Sequence, residues 1–375
     1  MKIICTQENL NKSIAIAEKA IGKSFTLPIL QNILISAESG NSYIKLSATD
    51  LEVGIEVQIP AKVDQEGAIT IPARLFSGFI RTLPQDNIEI TENNKSVLIK
   101  CKNFKSTIKG ESASDFPLMP TIKNSTGFSL KGFDFSSGIV SVIHSVSSLD
   151  IKPEITGICV KFSETDTCFA ATDSFRLAEK VILGSEIKNV KHKLIIPRKT
   201  CDLISRVFTN SEDLLSIETD GAQLSIKNNP GSSAYMKINL VSRIIDGEYP
   251  DYEQIIPKKF LTSIDLSKDE FISHIRTASL FSSKINEVVL NINSEKQQME
   301  ISSKDQDYGE HNSIMPCSIE GGSIKATFNY NYLLEGLNTI SSPNITIKMN
   351  EPSTPALITS SENDGFRYIV MPIRA

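Results

Sequence analysis

No stretch of this 375-residue chain approaches the roughly 20 uninterrupted apolar residues that a membrane-spanning helix requires, and Met1 to Ser13 lacks the apolar core of a secretion signal. Neither a membrane role nor export is expected, and the chain is predicted to be cytoplasmic. Its six cysteines, Cys5, Cys101, Cys159, Cys168, Cys201 and Cys317, show no CxxC spacing, which argues for reduced core thiols and against a zinc or disulfide framework. The sequons at Asn11 and Asn344 then carry no meaning, because no export signal accompanies them. Enzyme motifs are scarce as well. There is no GxGxxG, no P-loop and no HExxH, and the four histidines, His144, His192, His274 and His311, stand in no ligand spacing. The SxxK matches at Ser42–Lys45 and Ser106–Lys109 fall in predicted strands of a serine- and lysine-rich chain, where chance explains them. No cofactor and no metal is predicted. A basic excess is missing too: 39 Lys and Arg against 44 Asp and Glu give a net charge of −5. A nucleic-acid binder with that balance must gather its positive charge on one surface and place the acids elsewhere.

What is present is ordinary globular composition, 40% hydrophobic and 22% charged, over a length that exceeds a single core of roughly 100–150 residues. The chain also repeats itself. Three segments open with an amphipathic helical stretch, Leu10 to Ile21, Phe135 to Val146 and Glu270 to Phe281, and run on into alternating strands. Each is followed by a second half that opens on a strand and another helix: Ala68 to Leu83, Lys193 to Phe208 and Ile324 to Ile340. Asp50 and Asp173 stand 123 residues apart, and Pro72 and Pro197 stand 125 apart. Apolar stripes at helical spacing mark the buried faces: Leu10, Ile14, Ala17 and Ile21; Leu75, Phe79, Ile80 and Leu83; Phe135, Ile139, Val142, Ile143 and Val146; Leu203, Ile204, Val207 and Phe208. Asp115-Phe116-Pro117 and Tyr249-Pro250-Asp251-Tyr252 read as extended connectors. The predicted fold is α+β: three tandem domains, 1–124, 125–253 and 254–375, each of two βαβββ-like halves. Six helices each lay one dry face on antiparallel sheet and leave a polar face outward.

The motifs Thr26–Leu30, Ala48-Thr49-Asp50-Leu51-Glu52, Asp115-Phe116-Pro117, Ala171–Ala178, Ile196-Pro197-Arg198-Lys199, Tyr249–Tyr252 and Tyr368–Arg374 are each weak alone. In this order and on a threefold repeat, the chain resembles the bacterial DNA polymerase III beta subunits, the DNA sliding clamps, over essentially its whole length. The resemblance implies a homodimeric ring of six domains, with sheets outside and twelve helices lining a hole around duplex DNA. It implies a noncatalytic processivity factor, opened by an ATP-driven clamp loader, that tethers the polymerase III catalytic subunit and other clamp-motif proteins. Such a ring holds DNA by topology, with phosphate attraction spread out and independent of sequence. A repeat-built enzyme and a non-DNA scaffold are the rival classes; the first lacks motifs, and the charge on the inner surface separates the second.

Basic residues on the helices and at their starts form the DNA-facing set: Lys12, Lys19, Lys23, Arg74, Arg81, Arg198, Lys199 and Arg206. Each taken singly reads equally as a solvated helix face. The family often has an arginine where this chain has Lys23-Ser24. The third copy carries Arg276 and Lys284 on one helix but Glu335 on the other, so the inner charge should be uneven. The resemblance also implies an apolar partner-peptide cleft between the second and third domains. It would be lined by Ile155, Thr172, Ser174, Phe175, Arg176, Leu177, Pro250, Ile255, Asn329, Tyr332, Val370, Met371, Pro372, Ile373 and Arg374. Leu177, Ile255 and Val370 read equally as ordinary core, whereas an apolar chain end normally frays unless docked. Ser174-Phe175 replaces a Gly-His pair common in the family, which makes one wall bulkier and removes a titratable group. The head-to-tail dimer contact would join Ile108 to Leu280 and Phe281, two residues that fit an interface or a core equally well. Asp50 and Asp173 resemble paired carboxylates, but their equivalent places in two repeats favour strand-end turn chemistry.

Overall fold

The computed structural model describes residues 1–22, 27–120, 122, 126–149, 151–183, 192–229, 236–362 and 364–373. Lys23 and Arg374 lie outside them. Among the described residues are six α-helices: α1 (Gln7–Ala17), α2 (Ala73–Thr82), α3 (Gly132–Val142), α4 (Arg198–Phe208), α5 (Lys268–Ser279) and α6 (Tyr330–Thr339). Each is preceded by one strand. Three more follow α3, α4 and α6, and short strands at Lys62–Gln65, Glu111–Ser112 and Ser318–Gly321 add a fourth after α1, α2 and α5, so the halves keep the predicted βαβββ-like order.

The opening strand of each half pairs in the sheet of its sister half. Lys2–Thr6 lies beside Asn87–Asn93, and Gly67–Pro72 beside Asn32–Ala37. Both other copies make the same exchange, Thr126–Lys131 with Leu214–Thr219 and Thr262–Ser267 with Asn344–Met349 among them. The exchanged strands therefore satisfy their backbone groups through residues distant in sequence, and neither half can complete its sheet alone.

The chain packs as two compact units, Met1–Ser136 with Asp202–Ile244, and Ser137–Cys201 with Ile245–Ala375. Each unit holds one nine-stranded antiparallel sheet. In the first, Val53–Pro60 pairs with Lys237–Arg243; in the second, Arg176–Leu183 pairs with Phe366–Val370. Each pairing joins a first half to the second half of the next copy. The first unit also contains a five-stranded sheet with Phe104–Lys109 at one edge, and the second a four-stranded sheet with Gly309–Pro316 at one edge.

Alternation explains the strands: in Glu287–Asn293, Val288, Leu290 and Ile292 are buried while their neighbours are not. The helices follow their stripes with two departures. α1 stops at Ala17 and tightens into a 3₁₀ turn at Glu18–Ala20, and α3 does the same at Ile143–Ser145. In α2 the buried residues are Ala73, Phe76 and Ile80, and Leu75 points to solvent. On α6, Gly336 lies against the fully buried Tyr368, and a Cβ there would overlap the ring. Gly336→Ala should therefore lower stability by about 1–2 kcal/mol, because overpacking outweighs the gain in helix propensity. Urea unfolding monitored by circular dichroism checks this; an unchanged or raised midpoint would show that the ring moves aside freely.

Candidate partner-binding site

The site starts from a turn that the sequence writes as Thr-Asp. Asp173 Oδ1 accepts hydrogen bonds from the backbone N–H of Phe175 and of Arg176, both at 2.9 Å, and Thr172 Oγ1 donates to the Arg176 carbonyl at 2.7 Å. Asp50 makes the same two bonds to Glu52 and Val53, Asp220 to Ala222 and Gln223, and Asp305 to Asp307 and Tyr308. Asp50 and Asp173 are thus turn staples, and the carboxylate-pair reading fails. The turn holds Ser174 at φ +76° and leaves Phe175 57% exposed.

Directly after it, Arg176 is fixed on every side. Its Nε donates to Asp173 Oδ2 at 3.1 Å, Nη2 to the His144 carbonyl at 2.7 Å, and Nη1 to Glu335 of α6. Its guanidinium lies 4.4 Å from the centre of the Tyr332 ring, and Phe175 stacks on the same tyrosine at 6.5 Å. Burial works against the arginine's charge, but Tyr368, Glu335 and Asp173 outweigh it and raise its pKa. Burial raises the Tyr332 phenol, which stays neutral.

The chain end runs past this cluster. Met371 N–H donates to the Phe175 carbonyl and Ile373 N–H to the Thr327 carbonyl, each at 2.8 Å, and Pro372 is buried. The apolar tail is docked, as its composition suggested. The structure thus brings together Thr172, Ser174, Phe175, Arg176, Tyr332, Met371, Pro372 and Ile373. Asn329 serves as the cap of α6, accepting from Asn331 N–H at 2.9 Å. Ile155, Leu177 and Val370 are core residues; the first two pack with Tyr249, Tyr252 and Ile369. Ile255 is 54% exposed and Pro250 is exposed, so the connector offers its own apolar surface. Sequence reading missed Glu335 and His144 as holders of Arg176. Nothing in the local pattern of either residue signals a partner so distant along the chain.

A larger cavity of about 1000 Å³ in the same unit contains none of these residues. Three of its cations are held: Lys161 by Glu253 at 2.5 Å, Arg367 by Glu179, and Lys193 by the Tyr249 carbonyl at 3.0 Å. Among the described residues no group of three or more His, Cys, Asp or Glu could hold a metal ion, and no helix is long and apolar enough to cross a membrane.

The helix-borne cations are exposed at Lys12, Lys19, Arg74, Arg81, Arg198, Lys199 and Arg206. Lys12 bonds Glu8 at 2.7 Å, Lys19 donates to the Arg206 carbonyl at 2.7 Å, and Arg198 donates to the Val146 carbonyl at 3.4 Å. Burial, then the Arg206 charge, lowers the Lys19 pKa.

Family models described as the N-terminal, central and C-terminal domains of the DNA polymerase III beta subunit match residues 1–120, 129–251 and 253–374. The chain belongs to the DNA polymerase III beta subunit family. A beta sliding clamp of Synechococcus elongatus is 27% identical over 379 residues, covering 100% of this chain and 99% of that protein. A DNA polymerase sliding clamp of Bacillus subtilis superimposes with a TM-score of 0.91 at 25% identity, covering 100% and 99% of the two chains. The Pseudomonas aeruginosa DNA polymerase III subunit beta gives 0.91 at 23% identity with full coverage of both, which speaks to fold alone.

One feature of this beta-subunit chain is open to titration. Burial, and then the Arg176 charge, lower the pKa of His144 to about 4, and its Nε2 has no hydrogen-bond partner among the described residues. The unfolded chain takes up this proton near pH 6.5 and the folded chain only near 4, so the contribution is complete above 6.5 and is lost as pH falls toward 4. The loss should total on the order of 3 kcal/mol. Urea unfolding at pH 7.5 and 4.5 should show a smaller acid loss in His144→Gln than in the parent; parallel losses would refute the assignment.

Proposed function

We propose that two copies of this chain close head to tail into a ring around duplex DNA and tether the replicative polymerase and other clamp-motif proteins through the Arg176–Tyr332 cleft. The chain works as a noncatalytic DNA sliding clamp, in keeping with its family.

One observation carries the closure: a strand-pairing rule that one chain leaves unfinished. The strand after a first-half Thr-Asp turn pairs with the last strand of the next copy, Val53–Pro60 with Lys237–Arg243 and Arg176–Leu183 with Phe366–Val370. The same rule leaves Gly309–Pro316 of the third copy and Phe104–Lys109 of the first copy as edges. A bare edge is a template for another strand, and these two complement each other across a head-to-tail contact. Lys105 and Lys109 are exposed on one; on the other Glu310 is exposed and pairs with Lys304 at 3.5 Å, with Asp307 exposed in the turn before it. Phe104 and Ile314 are large apolar residues left half exposed on the two strands. Leu280 stands 72% exposed at the end of α5, and Phe281 stacks on His311 of the edge strand at 5.8 Å. Ile108 points into its own sheet and is buried, so Phe104 is the better apolar anchor on that strand. Replacing Leu280 and Ile314 with aspartate should weaken the dimer at least about 100-fold by sedimentation velocity, the loss typical of central interface residues; an unchanged dimer would exclude this closure.

The DNA reading rests on the helix charges. The first copy contributes Lys12, Lys19, Arg74 and Arg81 against Glu8 and Glu18, whereas the third sets Lys268 and Arg276 against Asp269, Glu270 and Glu335. Diffuse, uneven attraction suits sliding better than tight binding. After loading, the clamp should remain on nicked circular DNA through gel filtration and be lost when the circle is linearised. Equal retention on both forms would sink the topological mechanism.

A further inference from the structure

The first and second junctions share their framework. Thr49 Oγ1 donates to the Val53 carbonyl at 2.9 Å as Thr172 donates to that of Arg176, and a buried aromatic precedes proline in both connectors, Phe116-Pro117 and Tyr249-Pro250. Gly54 occupies the place of Leu177, and the Met119 side chain lies against it: a Cβ there would fall 2.6 Å from Sδ and 2.5 Å from Cε. Beside Gly54 opens a cavity of about 200 Å³, lined among others by Leu51, Val53, Leu118, Val241 and Arg243.

Two leucines at this cavity sit where a free surface would not place them. Leu51 adopts φ +79°, at the turn position that carries Ser174 and, in another turn, Gly221. A left-handed backbone disfavours a bulky side chain, and Leu51 is 50% exposed, so burial does not offset the strain. Leu118 is 95% exposed. A strained leucine and a bare one at the rim of the same hollow, whose lining is part apolar and part polar, are unfavourable until something covers them.

We propose that the first junction is a second docking pocket, which takes one aliphatic side chain from an extended peptide. The volume admits a single leucine-sized group. Pro117 and Pro120 offer no N–H, and Arg243 and Glu52 set one charge of each sign at the mouth, so the apolar side chain supplies most of the recognition. The inference borrows its geometry from the cleft assigned above, but its readout is separate.

The test titrates the full-length chain, with leucine and isoleucine methyls labelled for NMR, with Ac-Ser-Leu-Glu-Ser-NH2. Saturable shifts of the Leu51 and Leu118 methyls at a Kd of order 1 mM are expected, with none from Ac-Ser-Ser-Glu-Ser-NH2. Leu51→Asn with Leu118→Gln, both at exposed positions, should weaken this binding at least tenfold. Unmoved Leu51 and Leu118 methyls, or equal shifts with the serine peptide, would overturn the proposal. Shifts at Leu51 and Leu118 with none at Leu177 or Ile373 would support it while counting against the second-junction cleft, and the reverse pattern would do the opposite.

Discussion

The structure depends on one constraint: the last strand of the second copy and of the third takes its outer partner from the copy before it. Backbone N–H and C=O groups at a sheet edge demand partners. The chain meets that demand by passing the edge of each first half to the next copy's second half. The Thr-Asp turn delivers the receiving strand at the right place, since the aspartate holds two successive N–H groups and the threonine the following carbonyl. Three copies joined this way make two junctions and two leftover edges. In the proposed ring a second copy would supply the missing partner for each edge, so assembly would extend the internal construction.

The proposed partner site grows from the same turn. By fixing Asp173 and the start of the strand at Arg176, it sets the guanidinium where Glu335 and the His144 carbonyl can hold it against Tyr332. Such a pre-ordered arginine–aromatic wall would lose little entropy on binding the proposed peptide. Phe175, stacked on the same ring and more than half exposed, adds a bulky apolar rim. Both junctions inherit the scaffold, but the first spends its turn position on a strained leucine where the second has a serine.

Much of this was legible in the residues. The helical stripes, the alternating strands, the βαβββ order and the turn role of Asp50 and Asp173 all follow from local periodicity and hydrogen-bonding capacity. Misreadings fell where local pattern and burial part company. Leu75 fits a stripe yet faces solvent, and Ile108 reads as a surface anchor yet fills its own sheet. Ile155, Leu177 and Val370 belong to the core, because an aliphatic residue looks the same in sequence whether it lines a cleft or sits beneath one.

Sequence by itself determined the repeat, the type and order of elements, the absence of enzyme motifs and the apolar chain end, since each depends on spacing along the chain. Only the tertiary structure decided which strands pair across copies, that Glu335 and His144 hold Arg176, and that two particular edges stay bare. Those outcomes depend on contacts between residues far apart in the chain, such as Arg176 and Glu335, and no local periodicity encodes them.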